Sequence, residues 1–429
     1  MSNPTRLTRV QLDNDIPAPP SHEIDLRSEQ TVQKTSSPLP ADQTGIRSVR
    51  VFDPQRQGSN NVLYYAVESK RVSSNASVRH DCVRRRFSDF VWLRQELQRS
   101  FPGCVIPFLP TKSVLGTMQS NFIEKRQRGL NLFMERIISH PRLRHCTSLD
   151  VFLSAQNSDL ELAKQERTIQ EPTLALASAG LINFFSQKFQ SVQESILGPG
   201  ATAVKSEVDL KFERMAESVS QSLTLANNCL SAYQGLAGSY KESAQWWGNF
   251  GLSLTVLSDH ELKREHHDSS VFVNEIGLSA DRTSVLVSHH LDREYSGFKQ
   301  PLRDLIDQLR SVEEALQARL NALGALQQAT LDVKNKQMKL DQLQKKGLSS
   351  DKLSEAQEEV SRAEQIRSEL ASMLQRVTEE IQRDCEQFQS EEQTVLKRLA
   401  QSFAQIQIAH SQKMIASWQS AIASMSSRQ

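Results

Sequence analysis

The densest run of chemically capable side chains in this 429-residue sequence is Arg84-Arg85-Arg86-Phe87-Ser88-Asp89-Phe90. Lys112 follows a proline-bounded stretch (CVIPFLPTK), and Arg126 and Arg128 stand close together in FIEKRQRGLNLF. Cations and an aromatic ring in this order suit a phosphorylated, sugar-like ligand. A guanidinium fork grips one phosphate through two parallel hydrogen bonds, and another cation several ångströms away meets a second phosphate. Between them an aromatic face stacks on ring C–H groups, and a further arginine bonds ring hydroxyls. A solvated basic face is the plainer reading of three consecutive arginines. Its place where a predicted strand meets a helix start favours the ligand.

The elements that must hold these residues are legible from the surrounding pattern. VRVFD, NNVLYYAVESKRV and ASVRHDCVRRRF are β-rich runs separated by the turn-like QRQGSN and SSNAS, which predicts a small antiparallel sheet. Ser88 reads as a helix cap ahead of Phe90, Leu93, Leu97 and Phe101 on one helical face. Pro107 and Pro110 forbid regular helix in the crossing, and a second helix is predicted from near Asn121, with Phe122, Leu130, Phe133 and Ile137 as its apolar positions. Sheet, helix, crossing and helix in that order define a small α+β domain over 46–155. That stretch carries 18 Lys and Arg against 8 Asp and Glu, a net of +10, while the remainder is −9. A cationic module of this kind seeks an anionic surface, nucleic acid or lipid headgroups.

The series RRRFSDFVWLRQEL, IPFLPTK and FIEKRQRGLNLF resembles the signature of the PX (phox homology) domain. The resemblance implies a phosphoinositide pocket. In it Arg86 holds the 3-phosphate, Phe87 packs on the inositol ring, Lys112 meets the 1-phosphate and Arg126 bonds the 4- and 5-hydroxyls; Arg128 is a bystander. Two departures stand out. Phe87 occupies a position where the family usually has Tyr, and the family's P-P-x-P crossing is here Pro107-Phe108-Leu109-Pro110. Phe108 reads either as core, the favoured reading, or as a membrane wedge. Val114, Leu115 and Met118, on the loop after Lys112, are candidates for dipping into the bilayer, with a loop folded back on its own domain as the other reading.

Beyond residue 155 the sequence turns almost wholly helical. Leu181, Phe185 and Phe189 head an amphipathic stripe within a 171–200 segment, its polar face poor in charge and its end at Gly198-Pro199-Gly200. Insertion into lipid packing defects and packing on the following helices are equally open for it. Three long helical regions are predicted at 204–261, 270–346 and 351–427. Leu302, Leu305, Leu309, Val312, Leu316, Leu320, Leu323 and Leu326 step by three or four in the second. Leu353, Ala356, Val360, Ala363, Ile366, Leu370, Met373, Val377 and Ile381 do so in the third. Helices of that length predict an elongated antiparallel three-helix bundle whose exposed seam a partner subunit buries. The layout resembles the PX-BAR sorting nexins, the retromer-associated (Vps5-like) type most closely, through ASAGLINFFSQKFQSVQESI and KKGLSSDKLSEAQEEV. By that resemblance the bundle is a dimeric BAR domain over 204–427, Pro301 kinks its second helix, and retromer is a partner. Lys334, Lys336, Lys339, Lys345, Lys346 and Lys352 gather around the turn between the second and third helices, at a basic tip suited to an anionic bilayer.

Several classes fall away. Five scattered cysteines without a C-x-x-C pair speak against a disulfide framework or a zinc site and fit a reducing cytosol. No signal-peptide pattern and no run of the roughly 18–20 apolar residues a spanning helix needs is found, so membrane contact is expected to be peripheral. Residues 1–45, rich in Pro, Ser, Thr, Asp and Gln, are expected to be disordered. His266-His267 and His289-His290 are adjacent pairs that point apart on a helix, and no phosphate-cradling glycine loop or nucleophile elbow is found. No metal, cofactor or catalytic residue is expected, and neither is a nucleic-acid partner. The expectation is therefore a non-enzymatic protein on the cytosolic face of endosomes, sorting cargo through phosphatidylinositol 3-phosphate, with the 3,5-bisphosphate left open. Its bundle forms a homo- or heterodimer that senses or bends membrane. The rival is a lipid-targeted coiled-coil tether that does not deform membranes.

Overall fold

The computed structural model describes residues 45–57, 61–72, 78–110, 120–169, 206–345 and 350–427. Three strands come first: β1 (Gly45–Gln57), β2 (Val62–Val72) and β3 (Val78–Arg86), antiparallel in the order β1-β2-β3. Tyr65, Val67, Ser69, Val83 and Arg85 are buried on one face of the sheet, with Ala66 also buried between Tyr65 and Val67. Strand β1 shifts register between Phe52 and Gln55, where Asp53 takes a positive φ of 47°.

Helices α1 (Phe87–Ser100), α2 (Ser120–Ser139) and α3 (Thr147–Ser154) complete the core with the sheet. The expected apolar positions Phe90, Leu93, Leu97, Leu130, Phe133 and Ile137 are all buried, with Phe90 edge-on to Phe152 at 5.0 Å and to Phe133 at 6.5 Å. Helix α1 starts one residue before Ser88, and Arg86 holds the cap position; the Asp89 carboxylate accepts from the Arg86 N–H at 2.8 Å, as a capping-box acid does. Phe108 is half-buried beneath the Arg94 guanidinium, 4.7 Å from its ring centre. Helix α4 (Asn157–Ile169) returns towards the end of β3.

The helical region comprises α5 (Glu207–Lys263), α6 (His267–Glu294), α7 (Gln300–Lys345) and α8 (Ser350–Ser426). At ~1.5 Å per residue, the 77 residues of α8 span about 115 Å. Ser206 caps α5 by accepting from the Asp209 N–H. At the α5–α6 crossing a Cβ on Gly251 would lie 2.9 Å from the Gly277 carbonyl oxygen, so the two backbones approach this closely because glycine stands there. Between α6 and α7, where the resemblance implies a kink at Pro301, Tyr295–Lys299 adopts π pitch. Proline lacks the N–H for the Gly297 carbonyl and its ring presses on that group; a wider turn upstream accommodates both effects.

The apolar stripe of α8 is buried or half-buried along its predicted length. In α7 the stripe holds from Leu302 to Leu316, then departs from expectation. Leu320 is 53 % exposed, and Ala322, Ala325 and Ala329 take over the buried face. A 3.6-residue helix drifts against a 3.5-residue pattern, so the buried line moves off the leucines.

The α+β domain is seated on α7 and α8. Val105 packs into the bundle core. Arg94 pairs with Glu314 at 2.5 Å and Arg128 with Asp304 at 3.1 Å. Asp384 accepts from the Val105 N–H at 2.7 Å, and Glu380 pairs with Arg142. Gly103, at φ +104°, lies so near α8 that a Cβ would stand 2.8 Å from Val377 Cα. Arg128, the expected bystander at the lipid pocket, thus ties the domain to the bundle.

Candidate functional site at the strand–helix junction

Strand geometry gives three consecutive arginines three different tasks. Arg85 points inward and is fully buried. It donates to the Phe152 carbonyl (2.8 Å), the Ala155 carbonyl (2.6 Å), the Arg84 carbonyl (3.0 Å) and Asn157 Oδ1 (3.0 Å). Burial pushes its pKa down to about 10, and the Asp89 charge works the other way. Arg85 therefore fastens the end of α3 to the sheet and does not reach outward to a second phosphate. Arg84, on the opposite face, is held by the Asp53 carboxylate at 2.5 Å and its carbonyl at 2.7 Å, which the bulge in β1 presents.

Arg86 lies at the junction itself, its side chain 40 % exposed. Nε faces Asp89 at 3.4 Å and an Nη atom pairs with Glu161 of α4 at 3.0 Å. Burial alone would lower its pKa; the two carboxylates outweigh that and hold it above the ordinary value. Lys164, one helical turn beyond Glu161, donates to Asp89 at 2.6 Å and Glu161 at 2.9 Å, with Trp92 beneath it at 5.9 Å. Phe87 is half-buried, and the Arg126 guanidinium lies 4.7 Å from its ring and 4.3 Å from that of Phe122. Tyr65 stands behind Arg126, its hydroxyl pKa raised by burial and partly restored by that cation. Arg86 and Phe87 are consecutive at the junction, and Arg126 lies against Phe87. Glu161 and Lys164 were not anticipated. They come from a helix 75 residues away in sequence, whose only local sign is an acid and a base three residues apart.

Lys112, Val114, Leu115, Met118, Leu181, Phe185, Phe189 and Lys346 lie outside the described residues. The other predicted lysines flank the α7–α8 turn, where Leu340, Ala356 and Val360 form a small core of their own. Lys334, Lys345 and Lys352 are exposed, Lys336 pairs with Asp332 at 3.0 Å, and Lys339 with Glu359 at 3.5 Å. Surface pairs of this kind are weak, about 0–1 kcal/mol. Far along the helices from that turn, Trp246, Phe250, Val256, Val285, Ile408, Ile415 and Ile422 are exposed, with Trp246 at 72 %.

Cys104, His140 and Asp384 bring one potential ligand atom each within 4.8 Å of one another. The hydrogen bonding assigns them a different task. His140 Nδ1 accepts from the N–H groups of Arg142 and Leu143 at 3.3 Å, which places the ring proton on Nε2. Nε2 then donates to Asp384 at 3.2 Å, and the Cys104 thiol, pushed up to about 11 chiefly by burial, donates to Glu380. The trio is a hydrogen-bonded joint between the α+β domain and α8.

A three-stranded sheet with a cationic strand–helix junction, followed by long antiparallel helices, defines the PX-BAR class. The PX domain family matches residues 74–156, and the "Vps5 C terminal like" family matches residues 206–423. The chain belongs to the Vps5-like PX-BAR sorting nexins, a family of non-enzymatic adaptors and scaffolds. It is 27% identical over 315 residues to sorting nexin 1 of Arabidopsis thaliana, covering 72% of this chain and 75% of that one. It is 31% identical over 150 residues to vacuolar protein sorting-associated protein vps5 of Schizosaccharomyces pombe, covering 33% of this chain and 26% of the relative. The cryo-EM structure of the SNX-BAR Mvp1 tetramer shares the fold, with a TM-score of 0.62 at 18% identity over 87% of this chain and 99% of that one. Among the described residues no helix is long and apolar enough to cross a membrane.

Proposed function

We propose that this chain binds phosphatidylinositol 3-phosphate on the cytosolic face of endosomes and senses or shapes membrane curvature there, in endosomal protein sorting. The observation that carries the reading is the junction. Arg86 presents a half-exposed guanidinium at the start of α1, beside an aromatic ring and a second arginine. The helix start adds N–H groups and a positive dipole end for an anion. Arg86 would take the 3-phosphate, Phe87 the ring and Arg126 its hydroxyls, with Lys112 completing the set.

The exposed apolar residues on α5, α6 and α8 would be covered by a second bundle, of this chain or a related one. Two pockets and two lysine-bearing ends then act on one membrane, so weak contacts sum through avidity. Association with retromer, which the resemblance to the Vps5-like type implies, belongs to the same proposal.

Co-sedimentation with liposomes containing or lacking phosphatidylinositol 3-phosphate tests it. Arg86→Ala is expected to cut lipid-dependent binding about tenfold or more, since one charge-assisted fork is lost. Electron microscopy of the same liposomes is expected to show tubules with the wild type. Binding that ignores the lipid, or survives in the variant, would move targeting from this junction to the helices. Bound liposomes that stay round would favour the tether.

A further inference from the structure

Resting on the reading of Arg86 as a phosphate ligand, we infer that Glu161 is a built-in stand-in for that phosphate monoester and Lys164 a further ligand for it, both supplied by α4. Two carboxylates touch Arg86, and their burial separates their tasks. Asp89 is only 4 % exposed, accepts from the Arg86 N–H and secures the start of α1. Glu161 is 49 % exposed and pairs with the guanidinium at 3.0 Å. It therefore occupies the open side of the arginine, where a phosphate oxygen would arrive.

Lys164 stands on the same side, its Nζ 2.9 Å from the Glu161 oxygen that Arg86 holds. One carboxylate oxygen thus collects a guanidinium and an ammonium, the environment a phosphate oxygen takes in a binding site. A phosphate brings about −1.5 to −2 charge and three acceptor oxygens where the carboxylate brings −1 and two. It would displace Glu161, and Lys164 would follow the stronger anion while staying anchored on Asp89. Affinity is then set by the difference between two anions at one cation pair, and α4 determines how weak the empty site's competitor is.

The test uses the full chain with Glu161→Gln, Lys164→Met, Arg86→Ala and Glu166→Gln. Glu166 is an exposed acid on the same helix and controls for general surface charge. Two probes are titrated: vesicles with phosphatidylinositol 3-phosphate, and soluble inositol 1,3-bisphosphate. Glu161→Gln is expected to tighten both by about fivefold, the scale of one exposed ion pair, with Glu166→Gln unchanged. Lys164→Met is expected to weaken both by about tenfold, also when combined with Glu161→Gln, while the protein stays folded at the temperature of the titration. If Glu161→Gln tightens vesicles alone, or no more than Glu166→Gln does, Glu161 merely repels the bilayer and the inference is wrong. If Lys164→Met is silent in the Glu161→Gln background, Lys164 is no ligand. Loss of binding in Arg86→Ala with no change in Glu161→Gln overturns the stand-in and leaves the Arg86 reading intact. An indifferent Arg86→Ala overturns both.

Discussion

The junction of β3 with α1 and the interior of the long helices use charge in opposite ways. At the junction, three arginines of identical type are sorted by the two-residue period of a strand: Arg84 to a bulge, Arg85 to the core, Arg86 to the open side. In the bundle, charge is hidden by helices that meet from distant parts of the sequence. Glu294 of α6 is fully buried, accepts from Gln407 of α8 at 2.5 Å and Tyr233 of α5 at 3.4 Å, and lies 3.2 Å from His290. Local backbone geometry decides the first arrangement, and tertiary packing alone decides the second.

The sharpest way to break that comparison is to treat neighbouring arginines alike. Arg85→Met should cost about 3–5 kcal/mol, because the buried Phe152 and Ala155 carbonyls lose their donor and the helix end loses its fastening. Arg86→Ala, one residue on, should cost no more than about 1 kcal/mol, because the backbone N–H of residue 86 and Lys164 still serve Asp89. Denaturant unfolding of both variants checks this; equal costs would mean that the strand's alternation does not separate structural from binding arginines.

A smaller effect is expected where the two regions meet. Asp384→Ala removes the acceptor of the Val105 N–H and of the His140 ring. A loss of about 1–3 kcal/mol is expected, the cost of buried donors left unpaired. Hydrogen exchange should show faster exchange confined to the backbone near 104–106 and 140–145. Faster exchange throughout the α+β domain would instead make α8 necessary to its fold.

These cases also show what the sequence could carry. The strand–helix junction at Arg86 and Phe87 was legible from the β-rich run and the apolar helical spacing that follows it, whereas Arg126 joined them only through the resemblance to the PX signature. The stripe of α8 was legible because nine apolar positions keep helical period. Glu161, Lys164, Glu294 and Asp384 were not, since each gains its meaning from a partner on another element. The start of α1 moved ahead of Ser88 because a side chain three residues into the run, Asp89, supplies the capping contact.

A still smaller effect belongs to pH. Burial lowers the pKa of His290 and, with the neighbouring His290, that of His410, whose ring stacks at 4.1 Å; burial raises that of Glu294. Tyr233, Tyr240, Gln407 and Lys413 complete the surroundings. A folded-state imidazole pKa below the ordinary value means the folded state prefers the neutral ring. That stability is present above about pH 6.5 and is lost as pH falls through the lowered values. Glu294 has the opposite sign: its contribution is present below the ordinary carboxylate range and lost as pH rises through its raised value. Two imidazoles act against one carboxyl, so the bundle's Tm should drop by a few degrees on acidification just below pH 6.5, less than the histidines alone would give, and His290→Leu should flatten that slope. A slope unchanged in the variant would place the titration elsewhere.

The smallest expected effect is at Leu320, and it tests how far a leucine stripe can be trusted. Leu316→Ala, at a buried position, should cost about 2–4 kcal/mol. Leu320→Ala, one turn later in the same stripe, should cost no more than about 0.5 kcal/mol, because its side chain is already half in water. Chemical unfolding at low and high protein concentration separates the causes. A small, concentration-independent cost means helical drift has carried Leu320 off the buried line. A cost approaching that of Leu316, growing with concentration, means a second chain covers it, and the buried line then belongs to the assembly more than to one bundle.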